Sequence, residues 1–422
     1  MNDNYSRPEG YLDRWLTDDL RQASQDHSAH RSAVIVLTGA RQVGKSTLLH
    51  NAEPFASWRF HTLDDYDTLR QAREDPRGLW AGADQVILDE VQKAPNLLAA
   101  VKQTVDEQPG RHRFVLSGSA NLLLLKQVSE SLAGRAVYFT LHPMTLGEIH
   151  ASPPSTLLAQ ALAGHWPAEG DLVQDTPDPA PLLLRGLMPP LLTLSSASAR
   201  VRWWNGYVTT YLERDLRQLS QIDHLLDFRR LMELLALRSG QVLNQSELAR
   251  DAGLSQPTAH RYFNLLESTY LFERLPAYGS NRTRRLIKAP KAFWNDPALA
   301  LFLAGYYAEE ALRSSREMGA ALETLIFHHL RVLASLMTPP ARLYFWREHN
   351  GLEVDFILEH GRQVLGIEVK LSSQVGYGDA APLRRFLEEC PQASGGMILY
   401  AGKAVRRLSD KIVALPWPLL TG

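Results

Sequence analysis

The sequence predicts an α/β protein of several domains, and three observations support this fold class. From residue 33 to about 150, apolar runs alternate with helix-like stretches, which is the pattern of a buried parallel sheet. A helical middle region ends in a winged-helix pattern, and two strand-like runs around His360 and Gly361 indicate a further α/β domain. The predicted boundaries are 1–150 for the first domain, 151–181 for a Pro-rich linker or insert, 182–300 for the helical and winged-helix domain, and 301–422 for the last domain.

The composition is that of a globular protein with no overall charge. Of the 422 residues, 45% are hydrophobic and 22% are charged, which excludes the disordered and membrane classes. The 45 basic and 46 acidic side chains nearly cancel, so any surface for nucleic acid has to be local. No stretch approaches the roughly 20 apolar residues that span a bilayer, and the start lacks an export signal. With a single cysteine, these features favour a cytoplasmic protein that does not enter a membrane.

The first apolar run ends in a phosphate-binding loop. Its sequence, GARQVGKS, matches G-x-x-x-x-G-K-[ST] between a predicted strand and a predicted helix. Backbone amides of this loop face an anion, Lys45 reaches the β- and γ-phosphates of ATP, and Ser46 is a ligand of Mg²⁺. The predicted nucleotide contacts are Gly39, Ala40, Arg41, Gln42, Val43, Gly44, Lys45, Ser46 and Thr47.

The second apolar run, QVIL, ends in the carboxylates Asp89 and Glu90. Open α/β sheets bind ligands at the carboxyl ends of their strands, so this pair is predicted to lie beside the phosphate loop. Asp89 would hold Mg²⁺ through its water shell, and Glu90 would polarise the attacking water. Two solvated carboxylates at a strand end are the alternative. Together with the loop, the pair favours ATP hydrolysis.

The third apolar run and the segment after it supply three further candidates. Ser117 and Ser119, in RFVLSGSA, are predicted to sense the γ-phosphate from a neighbouring strand. Arg135, in SLAGRA, is a candidate charge-stabilising arginine that acts in cis or on a neighbouring subunit of a homo-oligomer. A merely solvated arginine is the alternative.

A helix-turn-helix pattern lies in the middle region, in LNQSELARDAGLSQPTAHRYFNLLES. Gly253 marks the turn, and Ser255 is the predicted N-cap of the second helix. That helix is predicted to bury Ala259, Tyr262, Phe263 and Leu266, which are spaced i, i+3, i+4 and i+7. Its outward side chains, predicted to contact DNA bases and phosphates, are Gln256, Thr258, His260, Arg261 and Asn264.

The segment after this pattern is predicted to form a two-stranded wing with a basic tip. Such a tip would supply the local positive charge that DNA phosphates require. The cations assigned to it are Arg282, Arg284, Arg285, Lys288 and Lys291. A winged helix that binds protein or acts as a lid is the alternative.

The C-terminal strands carry a second candidate site. Asp355 lies on one strand, Glu368 and Lys370 share a face of the next, and Glu323 lies on an upstream helix. Glu323, Asp355 and Glu368 would bind Mg²⁺ through oxygen atoms, while Lys370 would orient a water or stabilise a pentacovalent phosphate. Three interpretations stay open: a nuclease with Asp355, Glu368 and Lys370 as catalytic residues, a nuclease-like module that does not cut, and a hairpin with a solvated polar face.

Several of these motifs, taken in order, carry a resemblance to a known family. They are GARQVGKST, VILDEVQ, FVLSGSA, SLAGRA, YVTTYLERDLRQL, the helix-turn-helix, WREHNGLEVDFIL and IEVK. The chain resembles the bacterial and archaeal AAA-type ATPases that carry a C-terminal DUF4143 domain. The resemblance implies an ATPase core, a winged helix and a domain similar to PD-(D/E)xK nucleases. The chain departs from the family pattern in two places. It has the Pro-rich insert, and it has RGLMPPLL where the family usually has a Gly-Gly-Tyr-Pro stretch.

The function expected from the sequence is ATP hydrolysis coupled to DNA binding. The DNA, duplex or branched, would be a substrate of repair, recombination or branched-DNA handling. One alternative is a signalling or toxin-like switch ATPase whose C-terminal modules bind protein, and another is a metal-dependent nuclease regulated by ATP.

Overall fold

The protein is described here as a computed structural model that covers residues 10–25, 33–118, 132–173, 176–210, 225–279 and 289–421. The chain divides into two compact units. The first consists of Met1–Met144 and Ser268–Tyr270, and the second of Thr145–Glu267 and Leu271–Gly422. Among the helices in the covered ranges, none is both long enough and apolar enough to cross a membrane.

The first unit contains a parallel sheet of five strands in the order β2-β3-β4-β1-β5. The strands are β1 Val34–Thr38, β2 Arg59–Thr62, β3 Gln85–Asp89, β4 Arg113–Ser117 and β5 Ala136–Thr140. Strand β4 lies between β1 and β3, so the strand of the phosphate loop and the strand of Asp89 are separated by one strand. The predicted alternation of strands and helices is confirmed.

Helices cover this sheet and bury its apolar strands. They are α1 Leu16–Gln25, α2 Lys45–Asn51, α3 Tyr66–Glu74 and α4 Asn96–Glu107, with 3-10 turns at Phe55–Ser57, Pro76–Trp80 and Val91–Lys93. Val86 and Leu88 on one face of the sheet and Ile87 and Val115 on the other are almost fully buried, as expected for strands covered on both faces. The start of α3 is fixed locally, because the Asp65 carboxylate accepts a hydrogen bond from Thr68 N at 2.8 Å and caps the helix.

The second unit begins with helices and a small antiparallel sheet. The helices are α5 Leu146–Ile149, α6 Leu157–Leu162, α7 Pro179–Arg185, α8 Pro189–Leu192, α9 Ala197–Tyr207, α10 Leu225–Ala236, α11 Gln245–Asp251 and α12 Gln256–Ser268. The strands are β6 Gln241–Val242, β7 Phe272–Leu275 and β8 Lys291–Trp294, in the order β6-β8-β7. Helices α11 and α12 with this sheet form the predicted winged-helix arrangement.

A mixed sheet of six strands forms the C-terminal part of the second unit. Its strands are β9 Arg342–Arg347, β10 Glu353–His360, β11 Gln363–Lys370, β12 Gly395–Tyr400, β13 Arg406–Ser409 and β14 Ile412–Pro416, in the order β13-β14-β12-β11-β10-β9. The remaining helices are α13 Pro297–Leu303, α14 Glu309–Arg313, α15 Glu317–Ser335 and α16 Ala381–Glu389, with 3-10 turns at Tyr377–Ala380 and Trp417–Leu420. The predicted hairpin around Gly361 is confirmed as β10 and β11.

The Pro-rich segment 151–181 packs against this C-terminal sheet. Its helix α6 buries Leu157, Leu158 and Leu162. The carbonyl oxygen of Leu162 accepts hydrogen bonds from Gln363 and Ser394, at 3.1 and 2.7 Å. Of the two predicted possibilities, linker or insert, the described part of the segment therefore behaves as a packed insert.

Candidate functional site

The phosphate loop connects β1 to α2 through a backbone that needs left-handed conformations. Gly39 has φ 144°, and a Cβ at this position would lie 2.2 Å from Leu141 O, so only glycine fits. Gln42 and Gly44 have φ 65° and 96°. These angles turn the backbone around the space in front of α2, where the helix N-terminus favours an anion.

Lys45 folds back over the loop. Its ammonium donates hydrogen bonds to Gly39 O and Ala40 O, both at 3.0 Å, and the side chain is buried. Burial lowers the pKa of Lys45 to about 8, although the charges of Glu90 and Asp89 oppose this shift. A cation held by two carbonyl dipoles and two nearby carboxylates is suited to receive phosphate oxygens.

Ser46 and Asp89 meet at the carboxyl edge of the sheet. The Ser46 hydroxyl donates to Asp89 Oδ2 at 2.7 Å. Asp89 is only 4% exposed, and within the described ranges its Oδ1 has no hydrogen-bond partner. A hydroxyl beside a buried carboxylate oxygen without a partner matches the hard oxygen ligands of Mg²⁺, so these residues fit a magnesium–nucleotide complex.

Glu90 and Ser117 lie near this pair. Glu90 adopts φ 56°, a left-handed conformation, and accepts a hydrogen bond from the side-chain amide of Gln92. Ser117 ends β4, pairs with Leu37 of β1 and is fully buried. Its hydroxyl has no hydrogen-bond partner among the residues that the structure covers. Both are therefore placed where the sequence predicted, while Ser119 lies outside the described residues.

Arg14 anchors the loop, and sequence reasoning missed it. The guanidinium donates to Val43 O at 2.8 Å and to His142 O at 2.6 Å, and the side chain is buried. No local motif marks Arg14, because its partners are backbone carbonyls far along the chain.

The other predicted loop residues differ in exposure. Ala40 and Val43 are buried, whereas Arg41, Gln42 and Thr47 are exposed.

The structure corrects one of the two roles predicted for Arg135. Arg135 precedes β5, whose Ala136 is level with Val34 at the start of β1, whereas the phosphate loop follows the end of β1. Four to five strand residues separate the two edges, a distance of about 15 Å. The guanidinium instead forms an ion pair with Asp106 at 2.5 Å. Arg135 therefore cannot act in cis, and its action on a neighbouring subunit stays a prediction.

The second helix of the helix-turn-helix has the predicted N-cap and the predicted buried face. Gly253 has φ 72°, and Ser255 Oγ accepts from Thr258 N at 3.3 Å, which caps α12. The buried face consists, as predicted, of Ala259, Tyr262, Phe263 and Leu266.

The five predicted DNA contacts on α12 differ in accessibility. Gln256, His260 and Arg261 are exposed. Thr258 is half-buried and its hydroxyl lies 2.9 Å from Ser255 Oγ, and Asn264 Oδ1 accepts from Arg274 Nη2 at 2.9 Å. Three of the five side chains are thus exposed, although His260 Nδ1 lies 3.4 Å from Gln245 Oε1 and Arg261 lies over the Tyr262 ring.

The basic wing tip lies almost entirely outside the described residues. The cations concerned are Arg282, Arg284, Arg285 and Lys288. Lys291 is described, and here the prediction is wrong: it lies in β8, is only 1% exposed and cannot contact DNA. All four residues of β8 are buried, so the lysine had to be paired internally.

Lys291 lies instead in a cluster of carboxylates. Its ammonium is 2.8 Å from Glu323 Oε1, 2.5 Å from Glu353 Oε1 and 3.4 Å from Asp355 Oδ1. Burial alone would lower the pKa of Lys291, but the charges of Glu323, Asp355 and Glu353 outweigh burial and raise it. Sequence reasoning missed Glu353, although it lies two residues before Asp355 on the same strand.

Glu368 and Lys370 complete the predicted set. Lys370 donates to Glu368 Oε1 at 2.7 Å, and Asp355 Oδ2 accepts from Val369 N at 2.8 Å. Glu368 is 4% exposed, and its Oε2 has no hydrogen-bond partner in the described part of the chain. Burial and the nearby charge of Asp355 raise the pKa of Glu368 above its ordinary value.

The structure does not assemble Glu323, Asp355 and Glu368 as metal ligands. Over the described ranges, no group of three or more His, Cys, Asp or Glu side chains is arranged to hold a metal ion. The Lys291 ammonium contacts both Glu323 and Asp355, where the sequence predicted a divalent cation. Of the residues that the sequence selected, Glu323 and Asp355 come together around Lys291, while Glu368 pairs with Lys370.

Three family models match the chain, each over part of its length. An AAA domain matches residues 31–150. A domain of unknown function, DUF8612, matches residues 178–310, and another, DUF4143, matches residues 318–420.

Two similar proteins extend over nearly the whole chain. An uncharacterized protein of Mycobacterium tuberculosis and one of Mycobacterium bovis are each 32% identical over 418 residues, which is 98% of this chain and 87% of each relative.

Solved structures give much weaker likenesses. Cdc6p from Pyrobaculum aerophilum is 13% identical, with 75% of this chain and 96% of that chain covered and a TM-score of 0.24. Protein VC1899 from Vibrio cholerae is 12% identical, with 92% and 95% covered and a TM-score of 0.18. These TM-scores are too low to indicate a shared fold.

Proposed function

Because the chain belongs to the AAA-type ATPases that carry a C-terminal DUF4143 domain, we propose that it hydrolyses ATP and binds DNA. The observation that carries the proposal is the Ser46–Asp89 hydrogen bond, with a buried Asp89 oxygen lacking a partner in the described residues and Lys45 folded over the same loop. The process served is DNA repair, recombination or branched-DNA handling, on duplex or branched DNA.

Each residue at the nucleotide loop has a role in this proposal. Bound magnesium–ATP supplies the phosphoryl group that is transferred to water. Lys45 exchanges its two carbonyl partners for phosphate oxygens, and Ser46 and Asp89 provide the oxygen ligands for Mg²⁺. Glu90 orients the water, and Ser117 donates its hydroxyl toward the γ-phosphate.

The proposed DNA binding rests on helix α12. Its exposed Gln256, His260 and Arg261 can donate to base edges and phosphates, while its opposite face is anchored in the core. The chain is nearly neutral overall, so binding depends on such local groups and on the predicted cations of the wing.

ATP turnover by the purified chain tests the proposal. We expect turnover to rise with duplex or branched DNA, DNA affinity to fall steeply with salt, and Glu90→Gln to abolish turnover. Replacing His260 and Arg261 by alanine is expected to reduce the DNA stimulation. The matched control is Arg111→Ala, an exposed arginine paired with Asp84 in the first unit.

Two outcomes would contradict the proposal separately. Turnover that Glu90→Gln leaves intact would contradict ATP hydrolysis at this loop. Turnover that DNA does not change, with no DNA shift on a gel, would contradict DNA binding and favour the switch ATPase that binds protein.

A further inference from the structure

The buried cluster around Lys291 departs from the metal site that its carboxylates would suggest. We propose that Lys291 is a built-in counter-cation, which takes the place of a divalent metal among Glu323, Glu353 and Asp355, so that this pocket binds no metal ion. The proposal does not rest on ATP hydrolysis or on DNA binding, and its metal-binding measurement needs neither.

The geometry gives the ammonium a complete set of partners. A lysine ammonium has three N–H donors, and three carboxylate oxygens lie at 2.5, 2.8 and 3.4 Å from Lys291 Nζ. A divalent ion bound by Glu323 and Asp355 would lie within contact distance of this positive charge. Like charges repel at such distances in a buried site, and the ammonium already contacts one oxygen of each carboxylate, so lysine and metal compete for the same ligands.

Strand pairing fixes the lysine in this position. Lys291 pairs with Val242 of β6 and with Leu275 of β7, which makes it a residue of the central strand. Gly240 N donates to Ala292 O at 2.7 Å, and a Cβ on Gly240 would lie 3.2 Å from Glu323 Oε2. The backbone of Gly240, beside the lysine strand, is thus packed closely against one of the carboxylate partners of Lys291.

Asp355 and Glu368 are also not arranged as a pair of metal ligands, because carboxylate oxygens of both residues contact other groups. Asp355 uses Oδ1 for Lys291 and Oδ2 for the backbone amide of Val369. Glu368 uses Oε1 for Lys370, and its Oε2 has no hydrogen-bond partner in the ranges that the structure covers. This buried oxygen is where a cation would be drawn if Lys291 were removed.

Mn²⁺ binding to the nucleotide-free full chain, measured by electron paramagnetic resonance, tests the proposal. Wild type and Asp355→Asn are expected to bind Mn²⁺ alike. Lys291→Met is expected to gain about one Mn²⁺ per chain. That gain is expected to disappear when Asp355→Asn is added.

A second variant provides the same test if Lys291→Met does not fold. Lys291→Met with Glu353→Gln removes one positive and one negative charge together and keeps Glu323, Asp355 and Glu368. Circular dichroism identifies which of the two Lys291 variants folds, and a gain of Mn²⁺ in a folded one supports the proposal. If neither folds, the comparison of wild type with Asp355→Asn decides.

Three results would overturn the proposal. The first is Mn²⁺ bound by wild type but lost in Asp355→Asn. The second is that at least one Lys291 variant folds and no folded Lys291 variant gains Mn²⁺. The third is metal-dependent DNA cleavage by wild type that Asp355→Ala removes.

Discussion

Replacing Lys291 by methionine is expected to destabilise the second unit strongly. The methionine keeps the length of the side chain but leaves Glu323, Glu353 and Asp355 close together without the ammonium that contacts all three. Removing one partner from a buried ion network costs about 3–5 kcal/mol. With a urea slope of about 2 kcal/mol per molar, the unfolding midpoint falls by about 2 M.

The pH dependence of this loss follows from the carboxylates. The pKa values of Glu323 and Glu368 are already raised by burial, and Lys291 lowers both of them. In Lys291→Met they rise further. A carboxyl whose pKa is higher in the folded than in the unfolded state stabilises the fold at low pH and loses that contribution as pH rises through the folded value. Wild type and variant lose this contribution alike up to about pH 8, where the two carboxyls of wild type ionise in the folded state. The difference from wild type is therefore expected to grow as the pH rises above about 8.

Urea unfolding followed by circular dichroism at several pH values measures both effects. Lys411→Met is the control, because this lysine is exposed and its loss should change stability by less than about 0.5 kcal/mol. A Lys291→Met midpoint close to that of wild type, or a loss that does not change with pH, would refute the reasoning.

Three further substitutions test other parts of the structure. Gly39→Ala should destabilise the first unit by about 3 kcal/mol or more and abolish ATP binding in titrations, because its Cβ would meet Leu141 O at 2.2 Å; unchanged binding would contradict this. Arg14→Ala should weaken ATP affinity about tenfold in the same titrations, since the guanidinium holds Val43 O at 2.8 Å; equal affinity would show that the loop needs no such anchor. Asp296→Ala should lower the unfolding free energy by about 2–4 kcal/mol in urea, because its buried carboxylate accepts three backbone N–H groups; a loss under about 1 kcal/mol would argue against it.

Local patterns predicted the parts of the site whose geometry is local. The loop from Gly39 to Ser46 requires left-handed angles and a helix start within eight residues, and the motif contains both. The buried face of α12 follows from the spacing of Ala259, Tyr262, Phe263 and Leu266. In both cases the residues that determine the structure are neighbours in sequence.

The sequence predicts the wrong position for Lys291 because the partners of this lysine are distant in sequence. Next to Arg282, Arg284, Arg285 and Lys288 it looked like one more exposed cation, and local charge density carries no information about Glu323 or Glu353. The run KAFW, which is buried throughout, was the signal that could have found it. A charged first residue in an otherwise apolar strand needs a partner in the core.

The role of Arg135 in cis could have been excluded from the sequence. A residue that precedes a parallel strand lies at the edge opposite to a loop that follows such a strand, and both positions were predictable. The packing of the Pro-rich segment was not predictable in this way, because composition indicates a loop and does not show what Leu157, Leu158 and Leu162 pack against.

The position of Lys291 also affects how the chain can be divided into modules. Lys291 belongs to the stretch 178–310, whereas Glu323, Glu353 and Asp355 belong to the stretch 318–420, so two separately recognised domains share one buried charge network. A C-terminal domain transplanted without its predecessor would carry three clustered carboxylates and no cation between them. In this protein, cutting the chain between the two domains would therefore separate the lysine from its three carboxylates.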